Sequence, residues 1–564
     1  MRTILATLHS KYIHNSLALP CIAAYCGDAC GELLIREFTT HEPKGSILAQ
    51  LLAEQPDVIS FSVYIWNRRE TFELVDAIHV AAPNVRIVLG GPEVSFDGPT
   101  LFADHPGISA LIRGEGEQPM QALLSSWRQQ REPKDIPRSL LRSGGQIISG
   151  PETPALNELD NIPSPFAAGL VDLQRGFVYY ETSRGCPFRC SFCLSARDQQ
   201  VRSYSMQRIK SDLLLLMQQE VPKIKLVDRT FNYHAQRSKE IFRFILEHNI
   251  SSHFHFEIAA HLLDQETLTL LERAPEGMFQ FEIGVQSTTE NTLDAIDRKV
   301  SLVKLEETVR HLREQTKIHL HLDLVAGLPG EGYRAFLGSI DRVAALKPHH
   351  LQIEPVKLLP GAPLRDKAQQ HQIGFDPNPP YTILSSNDWS FDDLQRVQSL
   401  SRLLDLTWNS DCFDHFLAAL GETFTSLSRG LEWLATDWRN RDLFRLPISR
   451  RNVFEEIYRS LLCHPDEQGR IWMIENLAYD FARNERVVIN RVPKFFDTDL
   501  NPQEQIWVKE TITQKTEQIR GQGIKLQYFA AAFNTLPHRE QRLVVLFCYL
   551  NRSGAKMRVE EYSY

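Results

Sequence analysis

Three cysteines in one short segment are the residues of this chain best suited to carry chemistry. They are Cys186, Cys190 and Cys193, which lie in the sequence Ser-Arg-Gly-Cys-Pro-Phe-Arg-Cys-Ser-Phe-Cys. Thiolates are the usual ligands of iron–sulfur clusters, and a cluster held only by protein takes four of them. Three thiols without a fourth nearby leave one metal position open, as a catalytic metal site requires. A structural zinc site is the alternative, but zinc would need a fourth Cys or His, and this spacing is uncommon for zinc.

The cysteine segment begins where a predicted strand ends, and that strand opens a series of six strands alternating with helices. The strands are predicted at 177–182, 224–228, 253–259, 278–284, 318–325 and 350–355, and the helices at 207–219, 236–249, 264–273, 289–296, 303–315 and 333–346. Such repeats predict a partial (βα)6 barrel of the TIM type, in which chemistry sits on the loops at the carboxyl ends of the strands.

The spacing Cys-x3-Cys-x2-Cys, with Phe192 before the last cysteine, resembles the signature of radical S-adenosylmethionine (SAM) enzymes. The resemblance covers about residues 177–370. It implies a [4Fe-4S] cluster whose open iron takes the amino and carboxylate groups of SAM, and cleavage of SAM to a 5′-deoxyadenosyl radical. It also implies that Phe192 lies near the adenine.

Further segments resemble the SAM-binding parts of this family. Glu282, Gln286 and Ser287 close the fourth strand and would contact the ribose and carboxylate. Gly327 lies in a segment that resembles the one packing against adenine, and Leu358 in a segment that gives adenine its backbone hydrogen bonds. After the second strand the chain departs from the common Gly-Gly-Glu pattern. Asp228 there is predicted either to hold the SAM amino group or to be a strand-end acid that caps a helix.

The first 130 residues also alternate strands and helices, with strands predicted at 3–8, 33–38, 57–64, 85–89 and 108–112. This order predicts right-handed βαβ units and an open parallel sheet, hence a Rossmann-like domain. Residues 131–176 are rich in Pro, Asn and Ser and are predicted to be a linker with a small hairpin. Helical spacing dominates 375–564, so a mostly α domain is predicted there. The predicted fold class is α/β with domains at 1–130, 177–370 and 375–564.

A Rossmann-like domain before a radical SAM core resembles the cobalamin-binding class of these enzymes. An open α/β sheet binds ligands at the carboxyl ends of its strands, and Gly90 and Gly91 would let the backbone approach a flat macrocycle. For those two glycines alone, a tight turn is the simpler interpretation. The residues predicted to bind cobalamin are Tyr12, His14, Asn15, Ser62, Tyr64, Trp66, Asn67, Gly90, Gly91, Pro92, Glu93, Gly114 and Gly116.

Other ligands and clusters are alternatives to cobalamin for this domain. The Asp-x-His-x-x-Gly motif of other cobalamin proteins does not occur, so Tyr64, Trp66 and Asn67 could provide an aromatic wall, a water site or a lower axial ligand. A nicotinamide or flavin domain would show Gly-x-Gly-x-x-Gly after the first strand, where this chain has Leu-His-Ser-Lys-Tyr-Ile-His. A second cluster at Cys21, Cys26 and Cys30 is less favoured than buried core cysteines on one helix and its end.

Histidines occur in several strands of the second series, at 253, 255, 319, 321, 349 and 350. One or two of them could line the barrel and accept a proton or contact the substrate, although a core or edge position is the better interpretation for any single one.

The resemblance implies methyl transfer to an unactivated carbon or a phosphinate-type centre, with a deoxyadenosyl radical and methylcobalamin. Two alternatives stay open: a radical rearrangement or cyclisation that uses cobalamin without methyl transfer, and a non-catalytic cobalamin sensor. The partners predicted for the enzyme are a small-molecule or peptide substrate and an electron donor such as flavodoxin or ferredoxin.

Composition limits the remaining classes of function. With 62 Lys+Arg against 70 Asp+Glu, the net charge of -8 argues against a broad nucleic-acid-binding surface. Apolar runs fall far short of the ~20 residues of a membrane span. The amino terminus is predicted to be a strand and not a signal peptide. Nine cysteines, an odd number, fit a reducing compartment. The predicted location is the cytoplasm.

Overall fold

The computed structural model of the chain describes residues 1–534, 542–552, 554 and 557–564. It forms two compact units. The first contains Met1–His321, Gly327–Gly330 and Pro355–Asp388, and the second contains Leu322–Ala326, Glu331–Glu354 and Trp389–Tyr564.

The strands are β1 Arg2–His9, β2 Glu32–Thr39, β3 Val58–Ser62, β4 Arg86–Gly90, β5 Ile108–Ile112, β6 Ser139–Ser143, β7 Gln146–Ser149, β8 Val178–Tyr180, β9 Ser183–Arg184, β10 Arg202–Ser203, β11 Lys223–Leu226, β12 His253–Ile258, β13 Phe279–Gln286, β14 His319–Ala326, β15 His350–Pro355, β16 Gly374–Phe375, β17 Ile383–Ser385, β18 Lys525–Phe533, β19 Leu543–Asn551 and β20 Arg558–Ser563. The α-helices are α1 Ala18–Cys26, α2 Lys44–Ala53, α3 Arg68–Ala81, α4 Thr100–Asp104, α5 Glu117–Arg128, α6 Met206–Gln218, α7 Ala235–His248, α8 Gln265–Leu271, α9 Glu290–Ala295, α10 Leu302–Gln315, α11 Tyr333–Ala344, α12 Pro363–Asp366, α13 Phe391–Leu406, α14 Asp414–Thr423, α15 Leu427–Asn440, α16 Arg450–Leu461, α17 Glu467–Asn484 and α18 Pro502–Gln518.

The first sheet has seven strands in the order β2-β1-β3-β4-β5-β6-β7. Its first five strands pair in parallel, as predicted. Successive residues of β1 point to opposite faces, so Ile4 belongs to one hydrophobic core and Leu5 to another. Because helices cover both faces, a strand of this sheet must be apolar throughout, and this explains the continuous apolar runs in the sequence.

The segment predicted as a linker contributes two strands to the first sheet. The predicted hairpin is present as β6 and β7, which turn at Gly144 and Gly145, both with positive φ. β6 pairs antiparallel with β5, where it buries Leu140 and Leu141. The hairpin therefore covers an edge of the parallel sheet that would otherwise leave backbone groups unpaired.

The second sheet has the strand order β15-β14-β13-β12-β11-β8. Strand β14 begins in the first unit and ends in the second. Burial alternates along β13, where Phe279 and Phe281 pack against Phe242 of α7. Gln280 and Glu282 lie on the opposite face of that strand, since side chains alternate. The face of the sheet away from the helices is therefore polar, which suits a barrel that holds a ligand.

The second unit contains the predicted helices of the carboxyl-terminal region, α13 to α18. It also contains an antiparallel sheet, β18-β19-β20, that the sequence interpretation did not include. Its central strand is buried along nearly all of its length. Over the described ranges, no helix has both the length and the apolar character needed to cross a membrane.

Gly91→Ala is expected to destabilise the first sheet by at least about 1–3 kcal/mol. Gly91 has a φ of 105°, and a Cβ there would lie 2.5 Å from the carbonyl oxygen of Val63. Urea unfolding followed by circular dichroism measures the loss. Gly98→Ala is the matched control, because a Cβ at Gly98 meets nothing within 4 Å and its φ is not left-handed. Equal stability of the two variants would contradict the expected strain.

Candidate cluster and cofactor site

The cysteine loop follows β9 directly and is fixed by backbone hydrogen bonds from three directions. Cys186 and Cys190 are buried, while Cys193 is half-buried, as is the neighbouring Phe192. The amide of Cys186 donates to the carbonyl of Asp198 at 3.0 Å, and the amide of Ser191 donates to that of Ile296 at 2.8 Å. Leu364 donates to the carbonyl of Ser191 at 2.7 Å. Backbone hydrogen bonds to three separate segments therefore help to fix the loop.

The surroundings of the thiols suit an iron–sulfur cluster. In the part of the chain that the structure describes, no three His, Cys, Asp or Glu side chains converge as ligands of a single metal ion. A cluster presents a different iron to each thiolate, so its ligands do not need to converge in this way. Arg298 Nη1 donates to Cys190 Sγ at 3.3 Å, which favours the thiolate, although burial raises the pKa of Cys190 overall. Thr230 Oγ1 lies 3.6 Å from Cys186 Sγ and donates its own hydrogen to the carbonyl of Arg229.

Arg298 is a site residue that the sequence interpretation missed. It follows α9, and its guanidinium also donates to the carbonyl of Gly284 on β13. It therefore joins the cysteine loop to the strand that carries the predicted SAM contacts. In the sequence Arg298 is one of several charged residues after α9, and no motif distinguishes it from its neighbours.

Asp228 supports the start of the cysteine loop. Its carboxylate is 1% exposed and accepts hydrogen bonds from Thr182 N at 3.0 Å and from the hydroxyls of Thr182 and Ser183, both at 2.5 Å. These donors belong to the end of β8 and the start of β9 and not to a helix, so Asp228 does not have the predicted role of a helix cap. Its predicted contact with the SAM amino group stays a prediction.

Glu282 lies on the polar face of the second sheet, as its predicted role requires. His255 Nε2 lies 3.0 Å from Glu282 Oε2. Contact with His255 lowers the pKa of Glu282 to about 2, with a further contribution from Lys225, although burial opposes this shift. The carboxylate is therefore ionised at any physiological pH and can accept hydrogen bonds from hydroxyl groups.

Gln286 and Ser287 end the same strand and differ in what they present. Gln286 has a φ of 73°, and its buried Oε1 has no hydrogen-bond partner among the described residues. Strained backbone and an unsatisfied polar atom are both more common at ligand sites than elsewhere. Ser287 is fully buried, and its hydroxyl accepts from Thr289 N at 3.0 Å. Gln286 is thus suited to contact SAM, while Ser287 shapes the turn.

Gly327 and Leu358 both lie near the segment that contains Tyr381 and Ile383. A Cβ on Gly327, whose φ is 88°, would lie 2.9 Å from Ile383. The amide of Leu358 donates to the carbonyl of Tyr381 at 2.9 Å, and its carbonyl accepts from Arg365 at 2.6 Å. The predicted contacts of Gly327 and Leu358 with adenine stay predictions.

Aromatic side chains are exposed where strands β1 and β3 of the first sheet end. Tyr12 is 74% exposed and Trp66 is 45% exposed. The rings of Tyr64 and Trp66 stack with centroids 4.5 Å apart, and Trp66 Nε1 donates to the carbonyl of Leu8 at 3.0 Å. Flat apolar rings held at a ligand-binding edge suit a macrocycle such as a corrin. The roles of Tyr12, Tyr64 and Trp66 stay predictions.

Three of the residues predicted to bind cobalamin make hydrogen bonds that support the loops, and their contacts with cobalamin stay predictions. Asn67 is fully buried; its Nδ2 donates to Leu8 O at 2.9 Å, and its Oδ1 accepts from Tyr64 N at 2.8 Å. Ser62 is buried, and its carbonyl accepts from Thr7 Oγ1 at 3.0 Å. Glu93 is 4% exposed and accepts a hydrogen bond from the hydroxyl of Tyr381.

The predicted glycines also separate into two groups. The backbone of Val63 lies too close to Gly91 to leave room for a Cβ there. A Cβ on Gly116 would lie 2.9 Å from Ile22 Cδ1. Neither therefore needs a ligand to explain it. A Cβ on Gly90 would make only ordinary contacts, one on Gly114 would have room, and Pro92 is exposed. These three positions leave space for a ligand at the edge.

The loop after β1 lies against the second sheet within the first unit. His14 Nδ1 is 2.9 Å from the hydroxyl of Tyr179 on β8, and Asn15 Nδ2 donates to Phe177 O at 3.0 Å. The buried Oδ1 of Asn15 has no hydrogen-bond partner in the described part of the chain. Burial, and then the neighbouring Tyr64, raise the pKa of Tyr179 to about 12. The edge predicted to bind cobalamin thus adjoins the polar face.

A buried cluster of charges, also missed from the sequence, joins the loop after β5 to the strand before the cysteines. Arg184 lies 2.7 Å from Glu181, 2.8 Å from Glu117 and 3.1 Å from Glu115. Arg202 lies 2.5 Å from Glu115. Because Arg184 precedes the cysteine loop by two residues, this cluster fixes the loop relative to the first sheet.

Cys21, Cys26 and Cys30 are buried, as predicted for core residues. Cys21 and Cys26 lie on α1, and Cys30 ends the 3-10 turn Asp28–Cys30. Cys26 and Cys30 belong to the hydrophobic core on one face of the first sheet.

Three family models match successive parts of the chain. Residues 3–124 match the B12 binding domain, 180–343 match the radical SAM superfamily, and 369–538 match a protein of unknown function (DUF4080). These matches confirm the resemblance inferred from the cysteine spacing.

Two curated relatives are similar over about 330 residues. The cobalamin-dependent radical SAM methyltransferase TokK of Streptomyces tokunonensis is 27% identical over 340 residues, 57% of this chain and 50% of that protein. The 2-(S-pantetheinyl)-carbapenam-3-carboxylate methyltransferase of Streptantibioticus cattleyicolor is 26% identical over 327 residues, 55% of this chain and 48% of that protein. The chain thus spans about half the length of these relatives.

Two solved structures share the fold. One is the cobalamin-dependent S-adenosylmethionine radical enzyme OxsB with aqua-cobalamin bound (TM-score 0.59, 16% identity, 92% of this chain and 76% of that one). The other is the radical S-adenosylmethionine methyltransferase TsrM from Kitasatospora setae (TM-score 0.57, 18% identity, 67% of this chain and 78% of that one). This chain therefore joins a B12-binding domain to a radical SAM domain and to a carboxyl-terminal domain of unknown function.

Proposed function

We propose that this protein is a cobalamin-dependent radical SAM methyltransferase that acts on an unactivated carbon or a phosphinate-type centre of a small molecule or peptide. The observation that supports the proposal most directly is the contact between His14 and Tyr179. His14 belongs to the loop predicted to bind cobalamin, and Tyr179 lies on β8, the strand of the second sheet that precedes the three cysteines. When bound, the cluster and SAM supply a deoxyadenosyl radical, and cobalamin supplies the methyl group.

The residues of the chain would bind and orient these groups. Cys186, Cys190 and Cys193 would hold the cluster, and Gln286 would contact SAM through its unsatisfied oxygen. The stacked rings of Tyr64 and Trp66 would cover one face of the corrin. Close positioning of the reacting groups supplies much of the rate in such reactions. An electron donor such as flavodoxin or ferredoxin would reduce the cluster.

The test is anaerobic reconstitution with iron, sulfide and cobalamin, followed by incubation with SAM and a strong reductant. Optical spectra report bound corrinoid, and mass spectrometry reports 5′-deoxyadenosine and S-adenosylhomocysteine. Cys190→Ala is expected to abolish deoxyadenosine formation. Cys21→Ala is the matched control, since Cys21 is equally buried but lies on α1. Absence of bound corrinoid would reject the cobalamin assignment.

A radical cyclisation or rearrangement is the second candidate. It is favoured by a relative named anaerobic magnesium-protoporphyrin IX monomethyl ester cyclase, from Rubrivivax gelatinosus, which is 21% identical over 323 residues. Deoxyadenosine formed without S-adenosylhomocysteine, in the presence of a substrate that is consumed, would favour this function over methyl transfer. A well-formed cluster that gives no SAM cleavage would reject both methyl transfer and cyclisation and would favour a non-catalytic cobalamin sensor.

A further inference from the structure

Basic side chains are concentrated on the polar face of the second sheet, near the amino ends of its strands. Lys223 and Lys225 alternate along β11, and His253 and His255 alternate along β12. The parallel register pairs Lys223 with His253 and Lys225 with His255. Since neighbouring strands lie about 4.8 Å apart, these four side chains form one compact basic patch, here called the lysine–histidine patch.

Few acceptors are available to this patch within the protein. Lys223 Nζ and His253 Nε2 both approach Gln280 Oε1, at 3.4 Å and 3.3 Å, and a neutral amide leaves their charge uncompensated. Glu282 is engaged by His255 at 3.0 Å. Lys225 has no carboxylate within ion-pair distance among the residues that the structure describes. The patch therefore holds more cationic donors than anionic acceptors.

An acidic residue on the same face lies farther along β12. Alternation places Glu257 on the face of His253 and His255, and the register pairs it with Glu282. Glu257 lies two residues nearer the carboxyl end of the strand than His255 does. The basic residues therefore lie toward the amino end of this face and the two acids toward its carboxyl end.

Mutual repulsion of these cations agrees with the geometry. Burial, and then the charge of Lys225, lower the pKa of Lys223. Burial, followed by His321 and His253, lowers the pKa of His319. Burial also lowers the pKa of His255, although contact with Glu282 opposes this. Each of these groups would gain a proton more readily if an anion lay among them.

We propose that the lysine–histidine patch binds an anionic group, a carboxylate or a phosphate, of the substrate. That the anion belongs to the substrate rests on the proposed function, whereas anion binding by the patch does not. The register pairs His255 with Gln280 on β13, so the patch lies about 20 Å along the strand from Gln286 and about 7 Å from Glu282, the two predicted SAM contacts on this strand. The anionic group of the substrate would therefore lie on the amino-terminal side of SAM.

The test is anion binding by the full chain without added cofactors, at 0.15 M salt to suppress surface attraction. Pyrophosphate is followed by the broadening of its ³¹P signal, and citrate by competition with it. Lys225→Gln is expected to raise the pyrophosphate dissociation constant about tenfold, since it removes a charged donor. Lys225→Arg retains the charge and is expected to bind like the parent. Preference for pyrophosphate or citrate identifies the anionic group.

Lys210→Gln is the matched control, because Lys210 lies on α6 and pairs with Glu240 at the surface. It changes the net charge equally and is expected to leave binding unchanged. Affinity is expected to rise as pH falls toward 6, because burial lowers the pKa of His255 and a bound anion favours its protonated form. Equal affinity in Lys225→Gln, Lys210→Gln and the parent, or no saturable binding of either anion, would overturn the proposal. Binding that is lost in Lys225→Gln in a protein that never cleaves SAM would support this proposal and reject the proposed function.

Discussion

Arg184→Met is expected to lower the free energy of unfolding of the first unit by about 3–5 kcal/mol, the range found when a buried charge loses its partner. The guanidinium is 14% exposed and lies within 3.1 Å of three carboxylates, those of Glu115, Glu117 and Glu181. These acids are themselves 4% to 20% exposed. Methionine keeps much of the volume but leaves the acids facing one another with only Arg202 to balance Glu115.

The loss caused by Arg184→Met is expected to depend on pH. In the parent, burial raises the pKa of Glu115, but Arg202 and Arg184 outweigh it and lower this pKa overall. A lowered folded-state pKa contributes stability that is present above the unfolded value of about 4.3 and lost as pH falls through the folded value. Removing Arg184 takes away one of the two cations that lower the pKa of Glu115, so part of this stability is lost in the variant. That part is absent in both proteins once pH falls well below about 4.3, so the difference between parent and variant is larger at pH 7 than at pH 3.

Urea unfolding at pH 3 and pH 7 measures this difference. Arg310→Met is the control, because Arg310 is 51% exposed and forms an ion pair with Glu306, one helical turn away. An exposed pair of this kind contributes about 0.5 kcal/mol or less. Adding Glu117→Gln and Glu181→Gln to Arg184→Met should restore part of the stability. A loss no greater than that of Arg310→Met, or equal at both pH values, would contradict the buried-charge argument.

The parallel strands could be predicted because their signals are local. β5 has the predicted bounds 108–112, and β15 has the predicted bounds 350–355. Both are short apolar or alternating runs between turns, so neighbouring residues carry the information. β19 is also an apolar run, but its partners β18 and β20 show weak patterns. A short apolar run alone does not distinguish a buried strand from a buried helix.

The candidate site was predictable in position and less so in side-chain direction. Asp228, Asn67 and Glu93 each follow the end of a parallel strand, where ligands are expected to bind, and the sequence order is enough to show this. Whether each faces a ligand depends on hydrogen-bond partners that are distant in sequence. Asp228 is 46 residues from Thr182, and Glu93 is 288 residues from Tyr381. A buried carboxylate must find donors somewhere, and the sequence does not say which segment provides them.

Arg298→Met is expected to lower the reduction potential of the proposed cluster and to reduce deoxyadenosine formation about 10- to 100-fold. Arg298 Nη1 lies 3.3 Å from Cys190 Sγ. Hydrogen bonds to cluster sulfurs and nearby positive charge stabilise the reduced cluster, which is the more negative state. Removing the guanidinium therefore makes reduction harder, and less of the cluster is reduced at a fixed strength of reductant.

A redox titration followed by electron paramagnetic resonance measures the potential of the Arg298→Met cluster, and iron analysis measures how much cluster is retained. Arg298→Lys keeps a positive charge and should retain more of the potential than methionine does. Arg273→Met, at an exposed position after α8, is the surface control. An unchanged potential with less iron would mean that Arg298 acts only by tying the loop to the carbonyl of Gly284. A falling potential with full iron content would instead separate its electrostatic effect from its positioning effect, because the loop is then intact while the cluster is harder to reduce.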